Sequence, residues 1–148
     1  MDALTLPLSN HLLLLVAPHA AGAVMLELAA RLSLNGRLRV LDGGNRFNIF
    51  PVARTIRRYT AELNGALARI QLSRAFTCYQ MAAMLAEAPA DELPTLVVDL
   101  LSTFYDDNVS LAESQRLLED CLPHLKRLSQ GAPLVVSVKP PAPPMLWD

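Results

Sequence analysis

Charged residues are scarce in this 148-residue chain, and neither sign is in large excess. Asp, Glu, Lys and Arg together make up 18% of the residues, against about 25% in ordinary soluble proteins. We interpret this shortage of charge as a sign that a partner covers part of the surface. The formal net charge is −1, so no overall field attracts the chain to nucleic acid or to anionic lipid.

Cysteine is also rare, and Cys78 and Cys121 are the two that the sequence contains. Their spacing fits neither a metal site nor a disulfide framework. The histidines His11, His19 and His124 are scattered and stand at no metal-binding spacing from a cysteine or an acid. Thiols without such a role are typical of a reducing compartment, so we expect a cytoplasmic protein without a metal.

The sequence lacks an uninterrupted apolar run of membrane-spanning length. A spanning helix needs about 20 predominantly apolar residues. The most apolar region, residues 11–34, is broken by Pro18, Glu27 and Arg31. Asp2 stands where a signal peptide would have its basic start. We therefore expect a buried element of a soluble protein here, and no membrane partner.

The chain does contain a regular alternation of strand and helix patterns. Strands are predicted over residues 11–16, 37–42, 68–75, 93–101 and 133–139. Helices are predicted over residues 20–34, 50–60, 77–87 and 110–131. This order predicts an α/β fold with a mostly parallel five-stranded sheet and helices on both faces. The first strand is five apolar residues in a row, which favours a central strand covered on both sides.

Several helix ends carry capping residues. Thr77 with Gln80, and Ser110 with Glu113, have the spacing of the capping box. Gly36 follows the first helix and predicts a left-handed C-cap there.

The first predicted strand leads through small residues into a helix, which is the frame of a phosphate-binding loop. That motif reads G-x-x-x-x-G-K-[ST], so that backbone N–H groups and a lysine hold the phosphates. In this chain Ala17 replaces the first glycine and Gly22 keeps the second. Ala23 replaces the lysine, and Val24 replaces the hydroxyl that binds Mg²⁺. An ordinary strand–helix turn is the alternative interpretation.

Taken together, these segments resemble the ATPase core of the RecA superfamily, especially the archaeal and eukaryotic recombinase branch. Residues 40–47 resemble its second strand with the D-x-E motif, and residues 72–77 resemble its A-R-A-F-N/T segment. Residues 96–99 resemble the Walker B strand, and residues 134–138 resemble the strand that ends in a polar sensor. The similarity covers roughly residues 11–139.

The departures from that family concern its catalytic groups. Gly44 stands at the position of the catalytic glutamate, and Lys139 stands near that of the polar sensor. Of the ATP machinery, Asp42 and Asp99 remain beside the altered loop. Because catalysis in this family depends on positioning and on stabilising phosphoryl charge, the comparison implies a pseudo-ATPase without catalytic residues or a cofactor.

The resemblance implies one RecA-like domain over residues 1–139, followed by a Pro-rich extended tail over residues 140–148. We expect a non-catalytic module that binds proteins, a recombinase or its own copies, in DNA recombination or repair. In the tail, Met145, Leu146 and Trp147 are candidate partner contacts. Folding of Trp147 back onto its own core is the alternative.

Two other functions stay open from the sequence. In one, Asp42 and Asp99 hold Mg²⁺ at the carboxyl edge of the sheet, and His19 hydrogen-bonds a phosphate, as in an atypical nucleotide-binding ATPase.

In the other, the chain is an accessory DNA-binding subunit that contacts phosphates through the face of one helix. The face carries Arg54, Arg57 and Arg58, with Arg46 nearby. A merely solvated helix face is the alternative, because no aromatic ladder accompanies these arginines.

Overall fold

The structure is a computed structural model that describes residues 11–140. The segments 1–10 and 141–148, including the candidate tail contacts Met145, Leu146 and Trp147, lie outside the described residues. The strands are β1 (Leu12–Val16), β2 (Leu38–Asp42), β3 (Ile70–Arg74), β4 (Thr95–Val98) and β5 (Leu134–Val138). The helices are α1 (Gly22–Ser33), α2 (Ile49–Arg57), α3 (Leu63–Ala68), α4 (Cys78–Glu87) and α5 (Leu111–Gly131).

The described residues form a five-stranded sheet in which every neighbouring pair of strands is parallel. The strand order is β1-β5-β4-β2-β3. The predicted α/β fold class is therefore confirmed, and the arrangement is consistent with a Rossmann-like or RecA-like sheet.

The side chains of the strands point alternately to the two faces of the sheet, so the core has two layers, one on each face. Val40 and Leu96 point to the face covered by α1, α2 and α3. Leu41, Val97 and Leu134 point to the face covered by α4 and α5. Because successive side chains of a strand point to opposite faces, the buried central strands read as continuous apolar runs. Both faces are thus covered by helices, as predicted.

The position predicted for the first strand is wrong. β1 is an edge strand, and within residues 11–140 it pairs on one side only, with β5. Leu12, Leu13, Leu14 and Val16 are exposed rather than buried. A continuous apolar run is typical of a central strand covered on both faces, so the composition of β1 pointed away from its place at the edge of the described sheet.

The two predicted N-terminal caps are present. The Thr77 side chain accepts a hydrogen bond from the Gln80 N–H at 3.0 Å, and the Ser110 side chain accepts one from the Glu113 N–H at 3.2 Å. The Gln80 side chain does not return to Thr77 but accepts a hydrogen bond from the Phe76 N–H at 2.7 Å.

The C-terminus of α1 differs from the prediction. No glycine among residues 11–140 has a positive φ, so Gly36 is not a left-handed cap. The helix instead ends in a right-handed turn at Leu34, whose N–H reaches the carbonyl of Arg31. The short helix α3 was not predicted, since its six residues carry no clear helical period.

Candidate functional site at the carboxyl edge of the sheet

Asp42 and Asp99 lie together at the carboxyl edge of the sheet, as their positions in the sequence predict. Asp42 is the last residue of β2 and is paired with Val98, the last residue of β4. Asp99 follows directly. Both acids are buried, so each needs hydrogen-bond partners to offset its loss of hydration.

The carboxylate of Asp42 is fully occupied by donors from this chain. Its Oδ1 accepts hydrogen bonds from the N–H groups of Gly44 and Arg46, at 3.2 and 3.1 Å. Its Oδ2 accepts one from the Phe47 N–H at 2.8 Å and one from Arg74 Nη1 at 2.7 Å. A carboxylate offers about four lone-pair sites, so none is left for a metal ion. Asp42 organises the turn after β2.

Asp99 is held by a second arginine. Arg46 Nε donates a hydrogen bond to Asp99 Oδ2 at 2.6 Å. The backbone of Asp99 is left-handed, with a φ of 57°, and its N–H donates to Ser137 Oγ at 2.9 Å. Its Oδ1 is buried and has no hydrogen-bond partner among the described residues. The ion pair with Arg46 therefore neutralises one oxygen of the buried carboxylate and leaves the other without a partner among the described residues.

Gly44 is explained by its contact with Asp99. A Cβ atom at Gly44 would overlap the Asp99 carboxylate, and one at Gly43 would come within 2.6 Å of the Asp99 carbonyl oxygen. A side chain at Gly44, the position that the resemblance assigned to a glutamate, is therefore incompatible with the observed Asp99–Arg46 ion pair.

A cavity of about 280 Å³ lies beside these acids, between the segments that follow β2, β3 and β4. It is lined by Gly43, Gly44, Asn45, Ala75, Phe76, Ser102, Thr103 and Asp106. The helices that follow β2 and β4 pack on opposite faces of the sheet. A crevice at the carboxyl ends of two such strands is the usual ligand site in this fold class. Among the residues that the structure describes, no Lys or Arg lines the cavity, so it offers no basic side chain to a phosphate.

The segment in the place of the phosphate-binding loop forms a tight left-handed turn. His19, Ala20 and Ala21 all have φ values between 51° and 56°. The Ala20 N–H bonds to the Ala17 carbonyl at 3.0 Å, and the Gly22 N–H bonds to the His19 carbonyl. Two of the N–H groups that a phosphate would need are therefore used within the turn.

The conformation of the rest of this segment does not require a glycine. Gly22 has a right-handed helical backbone, and a Cβ there would meet none of the described atoms within 4 Å. Val24 is exposed on α1. Ala23 lines a separate cavity between α1 and α2, together with Arg54 and Arg58. Nothing in the structure explains why Gly22 is a glycine.

The predicted arginine face is present on the surface at α2. Arg54, Arg57 and Arg58 are exposed, and none forms an ion pair with an acid of the described chain. Arg46 does not join them, because its guanidinium is bound to Asp99.

The pairing of the two acids with Arg46 and Arg74 was not predicted, and Arg46 was expected near the arginine face instead. Arg74 lies opposite Asp42 in the β2–β3 pairing, so the ion pair follows from a register that the sequence does not display. Ser137 is likewise brought to Asp99 by β5, which pairs with β4. The sequence shows that Arg74 and Ser137 lie near the ends of predicted strands. The strand order, which the sequence does not show, makes them neighbours of Asp42 and Asp99.

Comparison with known proteins adds no family to this description. No protein-family model matches the chain, and no curated protein matches it. Within residues 11–140, no three His, Cys, Asp or Glu residues are grouped as metal ligands. Across that same range, none of the helices combines the length and apolarity needed to cross a membrane. Fold and site together define an α/β protein whose buried edge acids are paired with arginines.

Proposed function

We propose that this chain is a non-catalytic, RecA-like protein of the cytoplasm that acts by binding other proteins. Its role would be an interaction or regulatory one in DNA recombination or repair, with a recombinase-like protein or a second copy as the partner. The observation that carries the proposal is the pairing of both edge acids with arginines.

The ion pairs argue against nucleotide chemistry because they occupy the groups that Mg²⁺ requires. Mg²⁺ demands near-ideal octahedral oxygen ligation, while all four acceptor sites of Asp42 are already used. A metal bound to Asp42 would have to displace Arg74 or one of the three backbone donors. A displaced Arg74 would lose its buried partner, which is expensive in free energy.

The surface supports the interaction role. A strand at the end of the sheet, β1, leaves four large apolar side chains in water. Soluble monomers rarely expose large contiguous apolar patches. Together with the low fraction of charged residues, this favours a surface that a protein partner covers.

Calorimetric titration with Mg·ATP tests the non-catalytic part. We expect no saturable heat at micromolar to millimolar nucleotide, and no release of phosphate. A matched titration with ATP and EDTA controls for metal-independent binding. Micromolar affinity for Mg·ATP would overturn the proposal, since the ion pairs would then have to open.

Capture of partners from the native host tests the interaction part. The full chain and a chain lacking residues 140–148 are used as baits, and the captured proteins are identified by mass spectrometry. A recombinase-like protein enriched by the full chain is the expected result. Identical profiles from the two baits would discard the proposed contacts of Met145, Leu146 and Trp147, and an empty profile would contradict binding to another protein.

A second candidate, an accessory DNA-binding subunit, is favoured by the exposed arginines of α2 and its C-cap, which pair with no acid among residues 11–140. Here Arg54, Arg57 and Arg58 would contact phosphates, and affinity for single-stranded DNA would fall steeply with salt. Changing all three to Ala should abolish the binding. Arg116→Ala is the control, because Arg116 is exposed but paired with Glu113 at 3.0 Å. No salt-dependent binding by the unchanged chain would eliminate this candidate.

A further inference from the structure

We propose that the edge of β1 with which no strand of residues 11–140 pairs is the surface through which two copies of this chain associate, with their β1 strands pairing antiparallel. The inference rests on the proposed interaction role and names the partner as a second copy.

The edge of β1 is unusually suited to pairing. Leu14 is 53% exposed and Val16 is 56% exposed. The strand contains no charged residue, no proline and no glycine. Natural proteins usually protect an edge strand with such residues or with a covering element, because its unpaired N–H and C=O groups recruit another strand. Over the part of the chain that the structure describes, β1 has no neighbour on this side.

One side of α5 extends the apolar surface of β1. Arg127 of α5 donates to the carbonyl of Leu85 in α4 at 3.0 Å, which fixes the side that faces α4. At 100° per residue, Leu118 and Leu122 lie on the opposite side of the helix. Leu122 is exposed, and Leu118 is partly buried against the core. This side therefore faces the β1 end of the sheet.

The register places the two apolar features on the same face. Leu12, Leu14 and Val16 pair with Leu134, Val136 and Val138, which are buried under α4 and α5. Paired residues of adjacent strands point to the same face. The exposed side chains of β1 and the Leu118–Leu122 side of α5 therefore lie on the same face of the sheet, where α5 contacts β1. Together they are here called the β1–α5 surface.

A second copy fits this surface better than an extended peptide. A stable interface buries about 800 Å² per partner, which is more than one five-residue strand supplies. A two-fold axis perpendicular to the sheet makes the β1 strands antiparallel and places the second copy's α5 on the same face. Both copies then contribute a strand and a helix. Because β1 is uncharged, the pairing of the two strands brings no like charges together.

Sedimentation equilibrium of the full chain over a range of concentrations tests the inference. We expect the mass of a dimer for the unchanged chain and that of a monomer for Leu14→Lys, which places a charge at the centre of the edge. Phe50→Lys is the matched control, because Phe50 is 74% exposed on α2, and it should stay dimeric. Circular dichroism must show that the Leu14→Lys chain is folded.

Cross-linking gives a second measurement that does not depend on the lysine variant. In the fully overlapping antiparallel register, Leu14 lies opposite its own copy, with Cα atoms about 4.5–5.5 Å apart. A disulfide accommodates this separation. Under mild oxidation Leu14→Cys should give a covalent dimer, whereas Phe50→Cys should not.

The outcomes separate this inference from the proposed function. A monomeric mass at every concentration overturns the proposed dimer. If Leu14→Lys stays dimeric and Leu14→Cys forms no covalent dimer, the chains associate through another surface, and the β1 contact is wrong. A monomer that loses thermal stability through Leu14→Lys would indicate that the chain covers its own edge, which also overturns the dimer. None of these results depends on Mg·ATP binding or on capture of a foreign partner, which test the proposed function.

Discussion

Among single residues, the arginines at the carboxyl edge have the largest expected effect on stability. Arg74→Gln removes the charged partner of Asp42, whose side chain is completely buried. Breaking a buried pair in this way costs about 3–5 kcal/mol, because an uncompensated charge is left behind. Urea unfolding should show a loss of unfolding free energy near the lower end of this range, because the three backbone N–H donors to Asp42 remain.

Arg57→Gln is the control for that measurement. Arg57 is exposed on α2, and surface changes away from special contacts usually stay within about 0.5 kcal/mol. Equal effects of the two substitutions would contradict a structural role for the Asp42–Arg74 pair.

Two glycines with opposite surroundings give a second prediction. Gly44→Ala pushes a methyl group into the Asp99 carboxylate, and overpacking of this kind costs about 1–3 kcal/mol. Gly22→Ala meets open space in a helical backbone and should stabilise by about 0.4–1 kcal/mol. Thermal unfolding measures both, and a harmless Gly44→Ala would contradict the close approach.

The thiols are expected to be unreactive in the folded protein. Both are buried, and burial raises the pKa of Cys121 to about 11. Because the thiolate is the nucleophile, a disulfide reagent at pH 8 should label neither cysteine until urea is added. A raised pKa in the folded state also means that stability falls as the pH rises above the ordinary thiol pKa. Rapid labelling of the native protein would contradict this burial.

Among the elements, α4 shows how far local sequence determines structure. Its predicted end at Glu87 is the observed one, and its N-cap Thr77 is bonded as predicted. Thr77→Ala should cost about 1 kcal/mol, while Thr77→Ser keeps the hydroxyl and should be nearly neutral. Urea unfolding of the two variants measures the difference, and equal losses would show that the hydroxyl contributes nothing.

Strand neighbours could not be predicted in the same way. A cap is a contact over three residues, whereas Asp42 meets Arg74 only because β2 pairs with β3. The same limit applies to β1, whose apolar run is typical of a central strand but whose place is at the edge. The sequence therefore predicts that the acids meet at one edge, and it does not predict which cations neutralise them.

For the whole molecule, a source of acid sensitivity lies at the amino edge of the sheet. Arg39 donates a hydrogen bond to Asp91 at 2.7 Å, and this bond is the main reason that the pKa of Asp91 lies below its ordinary value. Since the folded-state pKa is lowered, the stabilisation is present above the unfolded pKa of about 3.9 and is lost as the pH falls through the folded value.

The melting temperature of the Asp91→Asn chain should therefore fall less than that of the unchanged protein between about pH 5 and pH 2. The effect is small, because the Asp91 side chain is 39% exposed and solvent screens the pair. Glu92→Gln, on the neighbouring residue, is the matched control. Identical acid profiles for Asp91→Asn and the unchanged protein would rule out this contribution.

The position of β1 has a consequence for how the protein is made. This strand leaves the ribosome before the other four, yet its only partner in the described sheet, β5, is synthesised last. Its backbone groups cannot pair with β5 until the intervening strands and helices have all been synthesised. Long-range pairings of this kind slow folding and produce aggregation-prone intermediates. We therefore expect nascent chains of this protein to depend on chaperones until β5 has emerged.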